Sequence, residues 1–196
     1  MSTIDYYNAN AQSFAEGTLT ADMTALYGFF EKYLEKGAAI LDLGCGAGRD
    51  AKYFLDKGYA VTAVDGSAEL CRIAAEHAGI PVRCMLFEEL DYDRQFDGIW
   101  ACASLLHVEK EKLPELLAKI RDALKPGGVL YCSFKYGDFC GERNGRYFTN
   151  LDENGLEELI GGIAGLSLLE IKITGDVREG RRDELWINAV AVRSAG

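Results

Sequence analysis

Gly44, Gly46 and Gly48 stand at alternate positions in the stretch Leu41-Asp42-Leu43-Gly44-Cys45-Gly46-Ala47-Gly48-Arg49-Asp50. Glycines spaced this way let a turn tighten and let a ligand approach the backbone with no Cβ in between. An apolar run precedes the turn and an amphipathic stretch follows it, so the turn joins a strand to a helix N-terminus. The free N–H groups there attract anionic ligand atoms. Asp65 closes the next apolar run, seventeen residues past Gly48, where a carboxylate can accept both hydroxyls of a ribose. Together these residues predict a nucleoside-derived ligand. A dinucleotide loop of the G-x-G-x-x-G kind asks for glycine at position 49, but Arg49 stands there, and its side chain would crowd the pyrophosphate. An NAD(P)-binding oxidoreductase is thus a competing reading. A catalytically silent binding module is another, because it would keep the glycine turn and Asp65.

The elements that must position these residues alternate along the chain. Thr20 can cap a helix carrying Met23, Leu26, Tyr27, Phe30 and Leu34 on one face. Ala38–Leu43, Tyr59–Val64, Pro81–Phe87, Phe96–Ala101 and Val129–Phe134 read as five buried strands. Helices follow over about 49–57, from Ser67, and along the Leu113, Leu116, Leu117, Ile120 stripe. Strand–helix alternation of this kind means a parallel sheet with helices on both faces. Alternation in Leu169–Thr174 and the apolar run in Asp183–Arg193 add an antiparallel C-terminal hairpin. The expected fold is α/β, Rossmann-like and doubly wound, with a mostly parallel seven-stranded sheet. One domain is expected across 1–196: an N-terminal cap and helix over 1–37, a cofactor-binding core over 38–134, and an acceptor-side loop, helix and hairpin over 135–196. Ligands in such folds bind beyond the carboxyl ends of the strands. Lys135–Thr149 is polar, with glycines at 137, 141 and 145, and is expected to be a long loop of functional kind.

The acid–x–Gly–x–Gly–x–Gly pattern from Asp42 through Gly48 resembles the first motif of class I S-adenosylmethionine-dependent methyltransferases. The resemblance runs over about Ala39–Phe134. Asp65 matches the family's ribose-binding acid, Phe96-Asp97-Gly98-Ile99-Trp100 its fourth-strand motif, and Leu124-Lys125-Pro126-Gly127-Gly128 the turn before its fifth strand. Asp93-Arg94-Gln95-Phe96-Asp97 is also similar to small tellurite-resistance-type methyltransferases. The resemblance implies S-adenosyl-L-methionine as cofactor. It places Phe87 on the adenine face and has Glu88 accept from the exocyclic amine, unless Phe87 is core and Glu88 merely solvated. It sets the backbone of Ala101 and the segment to His107 beside the sulfonium. It lets Asp42 orient the turn or meet the methionine ammonium. Arg49 either reaches the methionine carboxylate or starts a helix facing solvent. Asp50 is expected as a first-turn acid favoured by the helix dipole, and Cys45 supplies size rather than reactivity. In Tyr6-Tyr7-Asn8, Tyr7 closes over the methionine end, unless the segment is an amphipathic lead-in that covers the sheet edge.

Methyl transfer asks the protein chiefly for alignment. A base is needed only where the acceptor must lose a proton. His107 is the candidate base, with packing at a helix start as the plain alternative. Arg146 and Tyr147 are the candidate acceptor contacts in the 135–149 segment, joined by hairpin arginines Arg178, Arg181 and Arg182. This clustering suits a flat or anionic small molecule, although arginines are also ordinary solubilising residues in a turn.

Composition limits the alternatives. Twenty-one basic against thirty-one acidic residues leave a net charge of −10, which disfavours nucleic acid and anionic lipid as partners. The longest stretches without Asp, Glu, Lys or Arg have eleven residues (Gly98–Val108 and Leu159–Leu169), against about 20 for a membrane helix. The first residues carry neither a basic region nor an apolar run, so secretion is not expected. Six cysteines are never closer than eight positions, so no thiol pair for zinc is expected. The expectation is a cytoplasmic enzyme, monomer or weak homodimer, with a small-molecule acceptor and no metal.

Overall fold

The computed structural model describes residues 2–178, 180, 181 and 183–195. Arg182, expected to join Arg178 and Arg181, lies outside the described residues. The chain runs α1 (Thr3–Thr18), α2 (Thr24–Glu31), β1 (Ala39–Leu43), α3 (Arg49–Asp56), β2 (Ala60–Asp65), α4 (Ala68–Ala78), β3 (Val82–Cys84) and β4 (Phe96–Ala101). It continues with α5 (Leu113–Ala123), β5 (Leu124–Lys135), β6 (Cys140–Arg143), β7 (Arg146–Thr149), α6 (Glu153–Gly161), β8 (Leu166–Gly175) and β9 (Leu185–Arg193).

Seven strands form one sheet in the order β3-β2-β1-β4-β5-β9-β8. The first five are parallel, and β9 and β8 join antiparallel beside β5. Strand order reverses between β1 and β4, so the crevice beyond their carboxyl ends is the ligand position of this architecture. Ile40, Leu41 and Leu43 of β1 are fully buried, because helices cover both faces of a parallel sheet. On one face α2 lays Phe30 against Phe54 and Trp100, and Trp100 stacks on Tyr131 at 3.9 Å between ring centres. On the other, Leu113, Leu117 and Ile120 of α5 and Leu156 and Ile160 of α6 pack beneath the sheet. Ser67 caps α4, its hydroxyl accepting from the Leu70 N–H, as the sequence order strand–Asp–Gly–Ser suggests.

The structure departs from the expected elements in several places. The N-terminal stretch before Thr20 has no helix of its own among the expected elements. It forms α1, capped reciprocally by Ser2 and Asp5. The helix breaks step at Asn10, whose amide donates to the Tyr6 carbonyl. The next helix begins at Thr24 with Met23 as its cap residue, so Thr20 caps nothing. The third strand is only Val82–Cys84. The Pro126-Gly127-Gly128 turn lies within the span of β5. The segment expected as a loop over 135–149 is a β-hairpin, β6–β7. Its strands are four residues each, too short for alternation to register.

Candidate active site

The β1–α3 turn is drawn tight by Gly44 and Cys45, whose N–H groups both donate to the Val64 carbonyl. Gly44 takes φ 78°, and a Cβ there would stand 2.5 Å from the Ser104 Cβ. Gly48 takes φ 85°, and a Cβ there would meet the Ala74 backbone of α4 at 3.0 Å. One glycine therefore admits the loop after β4 and the other lets α4 dock. Gly46 donates its N–H to Asp65 Oδ2 at 2.9 Å, and Ser67 donates to Asp65 Oδ1 at 2.8 Å. Asp65 thus ties the glycine turn to the start of α4. Burial pushes its carboxyl up to about 6, against those backbone donors.

Asp42 lies beneath the turn and is 1% exposed. Its Oδ2 has no hydrogen-bond partner. Burial first, and the neighbouring Asp50 carboxylate next, hold its carboxyl well above the usual range. The aromatic edge of Phe14, from α1, stands over Gly46.

Arg49 and Asp50 depart most from expectation. Asp50 is a first-turn acid of α3, as expected, but a buried one, and Arg49 does not face solvent. The Asp50 carboxylate accepts from Tyr27 Oη at 2.6 Å, Trp100 Nε1 at 2.9 Å, and Arg49 Nε and Nη2 at 2.6 and 3.0 Å. Arg49 Nη1 reaches the Thr18 carbonyl at the end of α1. The arginine holds the Asp50 carboxyl below its usual range in spite of burial. Trp100, fifty residues away on β4, completes this arrangement, and no local pattern announces it.

His107 lies in a short turn after β4 and is held from both sides. Its Nδ1 meets the Tyr147 carbonyl at 2.7 Å, and its Nε2 meets Tyr7 Oη at 2.8 Å. A carbonyl only accepts, so Nδ1 carries the proton, and Tyr7 donates to Nε2. Burial pushes the imidazole down to about 4, so it is neutral near pH 7. A base titrating near neutrality, expected for His107, is therefore not what this environment makes. The Arg146 guanidinium lies 4.5 Å from the Tyr6 ring centre and 5.1 Å from that of Phe148. Tyr147 is corrected as an acceptor contact. Its carbonyl turns inward to His107, while its phenol does not line the cleft.

A cleft with about 1050 Å³ of empty space, open to solvent, lies beside the glycine turn. Tyr7, Gly44, Cys45, Gly46, His107 and Arg146 share its wall. Ala101, fully buried, ends β4 just beneath Cys102 and Ala103, which do line it. Ala103 adopts φ 51°, and its N–H donates to Ser133 Oγ at 2.8 Å. The Cys45 thiol is pushed up by burial, in keeping with a filling role. Phe87 reaches toward Gly44, but with Glu88 it lines a separate, smaller cleft beside α5. The Glu88 side chain is exposed. Sequence reasoning missed Asp176, Trp186 and Asn188, which come to the cleft from the C-terminal strands. Among the described residues no metal-binding cluster occurs, and no helix is long and apolar enough to cross a membrane.

The glycine turn, the acid ending β2 and the sheet order give the fold of class I S-adenosylmethionine-dependent methyltransferases, and residues 40–128 match the family described as "Methyltransferase domain". Among curated relatives, the ubiquinone biosynthesis O-methyltransferases of a Bradyrhizobium species and of Coxiella burnetii are each 35% identical, over 102 and 115 residues. Those stretches cover 50% and 52% of this chain and 40% and 47% of the relatives. The chain thus spans less than half the length of these relatives. Among solved structures it is similar to the 1,6-didemethyltoxoflavin-N1-methyltransferase of Burkholderia thailandensis, with bound 1,6-didemethyltoxoflavin and S-adenosylhomocysteine. The TM-score there is 0.77 at 24% identity, over 97% of this chain and 85% of that one. The magnesium protoporphyrin IX methyltransferase of Synechocystis, with bound S-adenosylmethionine, gives a TM-score of 0.76 at 16% identity, over 97% and 95%.

Proposed function

We propose that this protein is a methyltransferase using S-adenosyl-L-methionine and a small-molecule acceptor. The observation that carries the reading is the glycine turn tied to Asp65, opening into a cleft at the point of strand reversal. Asp65 accepts the ribose hydroxyls with the lone pairs its backbone donors leave free. Gly44, Cys45, Gly46 and Gly48 give the close approach. Asp42 faces the ammonium, the Ala101 end of β4 flanks the sulfonium, and Tyr7 closes over the methionine end. Phe87 and Glu88 hold the adenine from the flank of the turn. The bound cofactor supplies an electrophilic methyl group. The chain aligns the acceptor in line with it and keeps water away, with α1 lying over the turn.

His107 and Arg146 form the acceptor side of the cleft. Residues 1–196 act as one domain, with 1–37 as cap, 38–134 as core and 135–196 as acceptor side, because β8 and β9 complete the same sheet. Free cysteines throughout suit a reducing, cytoplasmic setting, and the charge of −10 suits a monomer or weak homodimer rather than a nucleic-acid complex. Calorimetric titration with S-adenosylmethionine, S-adenosylhomocysteine, NADH and NADPH tests the reading. Micromolar binding of the first two alone is expected, and binding of a nicotinamide cofactor instead would overturn it.

A further inference from the structure

Five cations line the cleft among the described residues, and four of them already have a carboxylate partner. Arg49 is paired with Asp50, Arg178 with Asp176, and Lys135 and Arg181 share Glu184. Arg146 has no carboxylate partner among the described residues, and its Nε is buried without a hydrogen-bond acceptor. The guanidinium is held in place by ring faces instead, with Tyr6, Phe148 and Tyr7 at 4.5, 5.1 and 5.8 Å. A planar fork fixed in this way, with its Nε unspent, is the counterpart of a carboxylate.

Beside it stands the Tyr7 hydroxyl, next to the Arg146 guanidinium. The Tyr147 carbonyl fixes the proton of His107 on Nδ1, so the Tyr7 proton is committed to Nε2. Tyr7 can therefore offer the cleft only lone pairs, and His107 offers it nothing. The wall thus presents one donor fork and one acceptor side by side.

We propose that Arg146 and Tyr7 form a two-point subsite for an acceptor that carries a carboxylate with a hydroxyl or amine N–H close beside it, the carboxylate on the Arg146 fork and the O–H or N–H donating to Tyr7 Oη. This deepens the methyltransferase reading and rests on it for the subsite's purpose, though not for its existence. It makes Tyr7 a specificity residue for the acceptor, acting through a tautomer set forty residues away on the β6–β7 hairpin.

The test is calorimetry on the full chain with phenylacetate, with mandelate, which differs from it by one hydroxyl, and with the neutral mandelamide. Each is titrated with and without saturating S-adenosylhomocysteine. Mandelate should bind about tenfold more tightly than phenylacetate, and mandelamide at least tenfold more weakly than mandelate. Tyr7→Phe should erase the difference between the two acids. Arg146→Gln should weaken both acids at least tenfold, and if that variant does not fold, Arg146→Lys should weaken them by less. Nitrogen-15 NMR should show neutral His107 protonated on Nδ1 at pH 7. Equal affinity for the two acids, no binding of either, indifference to Arg146→Gln, or a proton on Nε2 would each overturn the subsite. Displacement of phenylacetate by S-adenosylhomocysteine would overturn it too, because Arg146 would then serve the cofactor's own carboxylate. Failure of S-adenosylhomocysteine to bind the wild type would instead remove the methyltransferase reading, while the titrations without it still report on the subsite.

Discussion

Arg49 and Asp50, neighbours in sequence, turn back on one another to form a buried two-point ion pair beneath the cleft, with side chains 20% and 9% exposed. The pair is not isolated. Tyr27 and Trp100 donate to the same carboxylate, and Arg49 reaches on to the Thr18 carbonyl. It therefore joins α1, α2, α3 and β4 at one point under the glycine turn.

Breaking that pair should be expensive. Asp50→Asn strands the Arg49 charge in a buried setting, and loss of one partner of such a pair costs about 3–5 kcal/mol. Urea denaturation should show it as a lower midpoint with unchanged slope. Trp100→Phe, which keeps the ring but drops one donor, should cost about 1–2 kcal/mol. If Asp50→Asn costs under 1 kcal/mol, the pair is not a structural joint.

The pH dependence of stability has two opposing sources between about pH 4 and 6.5. Asp65 is raised to about 6 in the fold, against about 3.9 unfolded. The folded chain binds its proton first, so this group adds stability as pH falls through that interval, about 3 kcal/mol in full. Asp42 acts with the same sign. His107 is lowered to about 4 from an ordinary 6.5, so the unfolded chain binds its proton first and stability falls over nearly the same interval. Asp65→Asn should therefore unmask a decline in denaturation midpoint from pH 6.5 to 4 that the wild type partly hides. A wild-type profile that falls as steeply as the variant's would remove Asp65 from the account.

Cofactor affinity should carry the Asp65 signature as well. Ribose hydroxyls favour the ionised carboxylate, so S-adenosylhomocysteine should bind more tightly as pH rises from 5 to 7. Asp65→Ala should weaken binding by one to two orders of magnitude, from loss of charge-assisted hydrogen bonds at about 1.5–3 kcal/mol each, partly offset by water. The variant also frees Gly46 from its tether, so a melting curve should accompany the titration. An unchanged dissociation constant in a folded variant would take Asp65 out of the site.

Gly44→Ala and Gly58→Ala separate crowding from backbone strain. Both positions have positive φ, 78° and 89°, but a Cβ at Gly58 meets nothing within 4 Å, whereas one at Gly44 meets Ser104 at 2.5 Å. Gly58→Ala should cost about 1 kcal/mol. Gly44→Ala should cost about 1–3 kcal/mol more and should weaken S-adenosylhomocysteine as the β4 loop shifts. Equal effects on the midpoint would mean that the loop yields freely.

Tyr147→Ala should be nearly silent. Its contact with His107 is made by the backbone carbonyl, and its phenol lies outside the cleft, so a stability change within about 0.5 kcal/mol is expected, with S-adenosylhomocysteine affinity unchanged. A large loss in either measurement would restore a role for the ring.

The cofactor half of the site was legible in the sequence because it is built from local rules. Apolar runs of strand length make the parallel sheet. Gly44, Gly46 and Gly48 make the turn, and Asp65 ends the next strand, which lies beside β1 in the sheet. Strand-end placement then follows from topology. The acceptor half was not legible in the same way. Arg146 was visible as a cation in a polar stretch, but its lack of a partner depends on where Asp176 and Glu184 spend their charge. Asp50 was legible as a first-turn acid of α3 but not as a buried one, because its partner Trp100 arrives through the sheet. Tyr147 looked like a functional ring, yet only its carbonyl turns inward, since side-chain direction in a four-residue strand is set by the partner strand and by packing against His107. The proton on His107 belongs to no sequence pattern at all. It is fixed by a carbonyl forty residues away and a phenol one hundred residues away, groups that meet only when the β6–β7 hairpin and α1 close over the same end of the sheet.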